Sequence, residues 1–216
     1  MEALDAQLAA DAAVDPHARG TALLAAALLA VAASIYPPYH RERQTEQTIR
    51  DLGGTVEWDY REPGMIPVFV RTQVPVWNRI VEVNLVSASA SDADLILLRD
   101  LIHLKYLNLT NERFSDEGLE HLKGLTSLEV LELVSTATTD AGLEHLKGLT
   151  NVTDLNLYGT DISDAGLTHL KEMTKLRHLF LGCTAITDAG LEHLKGMRSL
   201  SYLDLSLTEI TDAGLE

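Results

Sequence analysis

Residues 152–175 read VTDLNLYGTDISDAGLTHLKEMTK, and residues 176–199 read LRHLFLGCTAITDAGLEHLKGMRS. The two segments of 24 align without a gap. The same phase runs from Ile80 to the end of the chain. Asp92, Asp116, Asp140, Asp164, Asp188 and Asp212 are each 24 apart, and so are Leu95, Leu119, Leu143, Leu167, Leu191 and Leu215. A third series is Leu98, Leu122, Leu146, Leu170 and Leu194.

Each unit changes its periodicity midway. Leu176-x-x-Leu179-x-Leu181 alternates, which buries one face of a short strand. Leu191, Leu194 and Met197 then recur at a helical spacing. One strand and one helix per 24 residues predicts stacked turns, with a parallel sheet on the inside and helices on the outside. A turn of that size cannot fold alone, so neighbouring turns must share their buried faces.

The invariant polar positions have local explanations. Thr136, Thr160, Thr184 and Thr208 stand three residues after the last strand leucine, where a hydroxyl can bond to the backbone as the chain leaves the strand. Glu112 breaks that series in its own repeat. The Thr/Ser-Asp pairs that follow (Ser115-Asp116, Ser163-Asp164, Thr187-Asp188) suit helix amino-terminal caps. Gly118, Gly142, Gly166, Gly190 and Gly214 are expected to permit close approach between adjacent turns.

The consensus L-x-x-L-x-L-x-x-T-x-I-T-D-A-G-L-x-H-L-K-x-L-x-x closely resembles bacterial leucine-rich-repeat proteins of the T-D-A-G-L type. It is related to the cysteine-containing class, with Thr at the position of the ladder Cys. The resemblance covers residues 80–216. It implies an α/β leucine-rich-repeat solenoid, or horseshoe, of about five and a half repeats. It also implies protein binding, since relatives that share the repeat bind varied protein partners.

Alternate strand residues point outward. The expected concave face therefore carries Glu82, Asn84, Tyr106, Asn108, Val130, Glu132, Asp154, Asn156, Tyr158, His178, Phe180, Tyr202 and Asp204. Unlike the ladders, these positions change from turn to turn. From Tyr106 onward, all but Val130 form the candidate protein-binding set. Tyr106, Tyr158, Phe180 and Tyr202 stand out in a chain that is 5% aromatic, because aromatics anchor interfaces. Their acidic neighbours predict a partner of basic or polar character. Drift at exposed positions is the plainer explanation of the same variability.

Catalysis and metal binding find no starting point. Phosphate loops, G-x-S-x-G, HExxH and paired Cys motifs are missing from the sequence, and the carboxylates lie in regular series that single out no acid and base. The ladder His121, His145, His169 and His193, beside Lys123, Lys147, Lys171 and Lys195, is read as a solvated convex face. Its members should lie ~10 Å apart, too far to converge on one ion. The aspartate ladder is read as helix capping rather than calcium binding. Cys183 is the one cysteine, expected to be a small half-buried residue. No catalytic, cofactor or metal residue is expected. The formal charge of -15 sets nucleic acid aside as a partner.

The amino-terminal third differs in kind. Residues 1–39 hold an acidic, alanine-rich tail and the uncharged stretch 20–39, which is long enough for one membrane-spanning helix. A single-pass anchor is the favoured reading. A signal peptide cleaved after Ala30-Val31-Ala32, followed by secretion, and an alanine-rich surface helix are the alternatives. Arg41, Arg43 and Arg50 follow the span and Arg19 precedes it, so the positive-inside rule puts the repeats in the cytoplasm. Residues 40–79 are expected to form a linker and a small α+β cap. In it, Arg41 to Leu52 is helical, Gly53-Gly54 is the stop, Thr55 to Tyr60 is a strand, and Val56, Trp58, Val68, Val70, Val76 and Trp77 are core. The final repeat reaches only Gly214-Leu215-Glu216, in the first turn of a helix. The functional expectation is a membrane-anchored protein-binding module and not an enzyme. A structural envelope protein, or the recognition arm of a larger signalling protein, are the alternatives.

Overall fold

The structure, a computed structural model, describes residues 41–60, 78–86, 88–111 and 113–215. The chain divides into two units, residues 1–41 with 61–78 and residues 42–60 with 79–216. Nearly all the described residues belong to the second unit. The expected anchor at 20–39, the core positions Val68, Val70, Val76 and Trp77, and the irregular position Glu112 lie outside the described residues. Among the described residues, no helix is long and apolar enough to cross a membrane.

The second unit is a leucine-rich-repeat solenoid. Among the described residues its sheet has seven strands in sequence order: β1 (Thr55–Tyr60), β2 (Asn78–Asn84), β3 (Tyr106–Asn108), β4 (Val130–Glu132), β5 (Asp154–Asn156), β6 (His178–Phe180) and β7 (Tyr202–Asp204). From β2 onward every pairing is parallel. From β3 onward each strand has a buried central leucine between two half-exposed residues, until β7, where the pattern opens to solvent.

Leu107, Leu131, Leu155, Leu179 and Leu203 are stacked by the pairing register. The turn of residues 152–175 buries Val152, Leu155, Leu157, Ile162, Leu167, Leu170 and Met173 completely. At the last turn Leu200, Leu203, Leu205 and Ile210 are only partly buried.

The outer side is short helix. After α1 (residues 41–51) come α2 (Asp116–Leu119), α3 (Asp140–Leu146), α4 (Asp164–Leu167) and α5 (Asp188–Leu191). α2, α4 and α5 tighten into 3-10 helix within about one turn; Glu120–Leu122, Thr168–Leu170 and Glu192–Leu194 are the continuations. The first repeat has 3-10 helix alone, Asp92–Leu98. A segment this short cannot be held by helix propensity, so packing of its leucines holds it.

The segment 41–60 lies beside the first repeats. α1 ends where Gly53 takes a φ of 91° and Gly54 donates to the Ile49 carbonyl at 2.8 Å, a glycine-terminated helix end. Ile49 and Val56 are buried, and Trp58 packs against the same core. Glu42 reaches β2 and accepts the Ile80 N–H at 3.0 Å. Burial pushes the Glu42 carboxyl above its ordinary value, against the pull of the Ile80 N–H and Arg79.

Candidate functional site

The threonine and aspartate ladders are used by the fold itself. Thr136, Thr160, Thr184 and Thr208 each donate a hydroxyl to the carbonyl three residues earlier, at 2.5–2.8 Å. This is the role expected of them. Thr139, Ser163 and Thr187 cap their helices by accepting the N–H of Ala141, Ala165 and Ala189 at 3.3–3.4 Å. Ser115 holds the same position without that bond.

The aspartates do more than the local capping expected from sequence. Asp116 accepts the Thr139 N–H at 2.8 Å through one oxygen and the Thr139 hydroxyl at 2.6 Å through the other. Asp92, Asp140, Asp164 and Asp188 do the same to Ser115, Ser163, Thr187 and Thr211. Each aspartate therefore clips its own turn to the next, with both carboxylate oxygens engaged.

A Cβ on Gly118, Gly142, Gly166, Gly190 or Gly214 would fall on the carboxylate from the preceding turn. That is the physical cause of the expected close approach. Ser91 has no such acceptor, since Val68 stands 23 residues before it. It is served locally instead, with its N–H and hydroxyl both bound to Asp94 at 2.9 Å.

The histidine ladder lies at the ends of the short helices. Beside it, Lys123, Lys147 and Lys195 each pair with the glutamate three residues earlier, Glu120, Glu144 and Glu192. Among the described residues no group of three or more His, Cys, Asp or Glu is placed to hold a metal ion.

The sheet's outward face is what these ladders leave over. Register places Tyr106, Val130, Asp154, His178 and Tyr202 in one row, and Asn108, Glu132, Asn156, Phe180 and Asp204 in a second. Glu82 and Asn84 begin the two rows on β2. All the strand residues of the sequence-derived set thus share one face.

The second row carries a constraint that sequence reading missed. Asn84, Asn108, Asn156 and Asp204 each accept the N–H two residues ahead, at 2.9–3.1 Å. These Asx turns end the strands. Glu132 and Phe180 occupy the same row without that bond. The recurring Asn of this row is visible in the sequence, but alternation marks it only as an outward position.

Tyr158 lies beyond the end of β5. Its ring sits where a Cβ on Gly182 would stand, and its hydroxyl accepts the Cys183 thiol at 3.0 Å. That thiol pushes the Tyr158 hydroxyl above its ordinary value. Cys183 is half-buried, as expected. The turn here takes a left-handed residue in the four repeats from β4 onward: Ser135, Gly159, Cys183 and Leu207 have φ of 54°, 68°, 56° and 58°. Its amide continues the ladder beyond the strands, as in Gly159 N–H to the Gly182 carbonyl at 2.9 Å. Only Gly159 hinted at this conformation in the sequence.

At the carboxy-terminal end of the face the aromatic side chains meet. The Phe180 and Tyr202 rings are 5.1 Å apart and inclined by 43°. His178 meets Tyr202 edge-on at 6.2 Å. His178 is also held through Nδ1 by Asp154, whose other oxygen accepts the Thr153 hydroxyl at 2.6 Å. Tyr202 remains 49% exposed, so an aromatic surface faces solvent with its neighbours already fixed.

Residues 148–171, 172–195 and 196–216 match the family model described as leucine-rich repeat. No curated protein matches the chain. Among solved structures it is similar to an internalin from Listeria monocytogenes, with 28% identity and a TM-score of 0.49 over 54% of this chain and 33% of that one. Internalin C2 of the same organism is similar at 29% identity, with a TM-score of 0.48 over 54% of this chain and 48% of that one. The repeat ectodomain of the receptor kinase SOBIR1 from Arabidopsis thaliana is similar at 16% identity, with a TM-score of 0.49 over 79% and 96% of the two chains. The chain thus spans between a third and a half of the internalins it resembles.

Proposed function

We propose that this protein is a binding module that receives a protein partner on the outward face of its parallel sheet. One observation carries the reading. The repeating Thr/Ser and Asp positions are consumed by the fold, as threonine lids, helix caps and aspartate clips, and the repeating His and Lys lie on the outer helices. The half-exposed aromatic and acidic residues on the outward face vary from turn to turn. Rigid strands presenting aromatic side chains form a surface of the kind interfaces use, since aromatic contacts bury large area at low entropic cost.

Segment 41–60 serves in this reading as the cap of the first repeat. The uncharged stretch 20–39 serves as a membrane anchor, which would leave the repeats projecting from the bilayer. The partner is basic or polar where it touches the acidic end of the face.

Site-specific photo-crosslinking in the native host tests the proposal. A photoreactive residue at Phe180 should yield a discrete protein adduct, and one at Lys171, on the outer helices, should not. Equal labelling from both positions would remove the concave site. No adduct from either would favour a purely structural role.

A further inference from the structure

We propose that the anchor of the interface is a lysine or arginine side chain of the partner, received on the Phe180 and Tyr202 rings and paired with Asp204. This deepens the protein-binding reading and rests on it.

Elsewhere on the solenoid, charges are already paired. On the outer helices Lys123, Lys147 and Lys195 neutralise Glu120, Glu144 and Glu192. The two outward rows of the sheet hold Glu82, Glu132, Asp154 and Asp204 and not one Lys or Arg. Asp154 has His178. Among the described residues, no cation is paired with Glu82, Glu132 or Asp204. The excess negative charge of this face thus lacks the internal compensation found on the outer helices.

The position within the face follows from ring geometry. Asp204 stands directly across the β6–β7 pairing from Phe180. One Asp204 oxygen is fixed by the Ser206 N–H at 2.9 Å, which orients the carboxylate; among the described residues no hydrogen bond reaches the other oxygen. The inclined Phe180 and Tyr202 rings lie beside it, and Tyr202 is the most exposed aromatic among the described residues.

An ammonium or guanidinium is attracted to a ring face within ~6 Å of its centroid. A carboxylate on the same surface supplies the counter-charge. An apolar partner residue would satisfy the rings but leave Asp204 desolvated and unpaired, which is costly. A second copy of this chain is disfavoured by its net charge of -15.

The test uses the full chain and three labelled 12-residue peptides followed by fluorescence anisotropy: one with alternating Lys and Arg, one with Gln at those positions, and one with Glu. The basic peptide should bind more tightly than the Gln peptide, and the Glu peptide should not bind. Phe180→Leu keeps apolar volume and removes the π face. Asp204→Asn keeps an acceptor for the Ser206 N–H and removes the charge. Each should weaken the basic peptide about threefold to tenfold, with an unchanged thermal midpoint showing that the fold is intact.

Glu120→Gln, on the outer helices, should leave binding unchanged. If it weakened binding as much as Asp204→Asn, diffuse charge attraction would replace the anchor. Equal affinity of Gln and basic peptides, or wild-type affinity in both site variants, would overturn the proposal. A host adduct from a photoreactive residue at Glu132, on the same row, that persists unchanged in Phe180→Leu and Asp204→Asn would sink the cation anchor and leave the protein-binding reading standing. Intact peptide selectivity with no host adduct would do the reverse.

Discussion

Asp116 and Gly142 are complementary across adjacent turns: the carboxylate of Asp116 fills the space where a side chain on Gly142 would begin. Gly142 sits in α3 with ordinary helical geometry, so its lack of a side chain serves space and not an unusual φ. Alanine is ordinarily preferred to glycine inside a helix by ~1 kcal/mol. In this protein Gly142→Ala should instead destabilise, by about 1–3 kcal/mol, through overpacking. Asp116→Ala should cost about 1.5–3 kcal/mol, since both Thr139 donors lose a charged acceptor. In the Asp116→Ala background, Gly142→Ala should become neutral or stabilising. Chemical denaturation of the four proteins measures that coupling, and simple additivity would refute the pairing.

Thr160→Val should lower stability by about 1–2 kcal/mol. The hydroxyl is buried and donates to the Leu157 carbonyl at 2.7 Å, so the isosteric methyl removes the shorter of that carbonyl's two hydrogen bonds and leaves only the one from the residue 160 N–H, at 3.3 Å. Thr208→Val should cost less, because Thr208 lies at the partly exposed last turn. Equal losses at the two positions would argue against burial as the deciding variable.

Leu207→Gly should stabilise the last repeat by about 0.5–1 kcal/mol. Leu207 holds a φ of 58° and is 78% exposed. Relief of left-handed strain therefore outweighs both the small loss of packing and the added chain entropy. Gly159→Ala, at the equivalent turn, should change stability in the opposite direction. Thermal midpoints of the two variants test the sign.

The pH dependence of Asp188 and Glu42 should differ in sign. Hydrogen bonds from the Thr211 hydroxyl and N–H hold the Asp188 carboxyl below its ordinary value. Its contribution is therefore present above the unfolded carboxylate value, ~4, and is lost as pH falls through the lower folded value. Burial raises Glu42, so its contribution is present below the unfolded value and is lost as pH rises through the higher folded one. Protection of the Thr211 amide from exchange, corrected for intrinsic rate, should fall on acidification in the wild type. It should stay flat in Asp188→Asn.

What could be read from the chain beforehand was whatever repeats. Period two and period 3.6 within one unit fixed strand and helix, and stacking followed from the strict spacing. The threonine lids, the Gly53-Gly54 stop, the strand at Thr55 and the shared face of the candidate residues are all present in the structure. The aspartate clip escaped because capping explained the Thr/Ser-Asp pair within one turn. Its true partner is 23 residues away, and only the joint recurrence of Asp, Ser/Thr and Gly encodes it. The turns at Ser135, Cys183 and Leu207 escaped because those residue types do not advertise positive φ. At the candidate site, alternation identified Phe180 and Tyr202 but not their ring contact. Alternation also could not show that Asn108, Asn156 and Asp204 are partly occupied in ending their strands.

The clip between turns also bears on how such a chain can change its length. From the Asp116 turn to the Asp188 turn, each presents the same carboxylate forward and the same vacancy backward, so a block of 24 residues spliced within that range finds matching neighbours. Duplication or excision of a whole unit preserves every junction, whereas a shift of one residue breaks them all. The span of the outward surface can therefore be lengthened by copying, and its chemistry altered afterwards by point changes that leave the spine untouched.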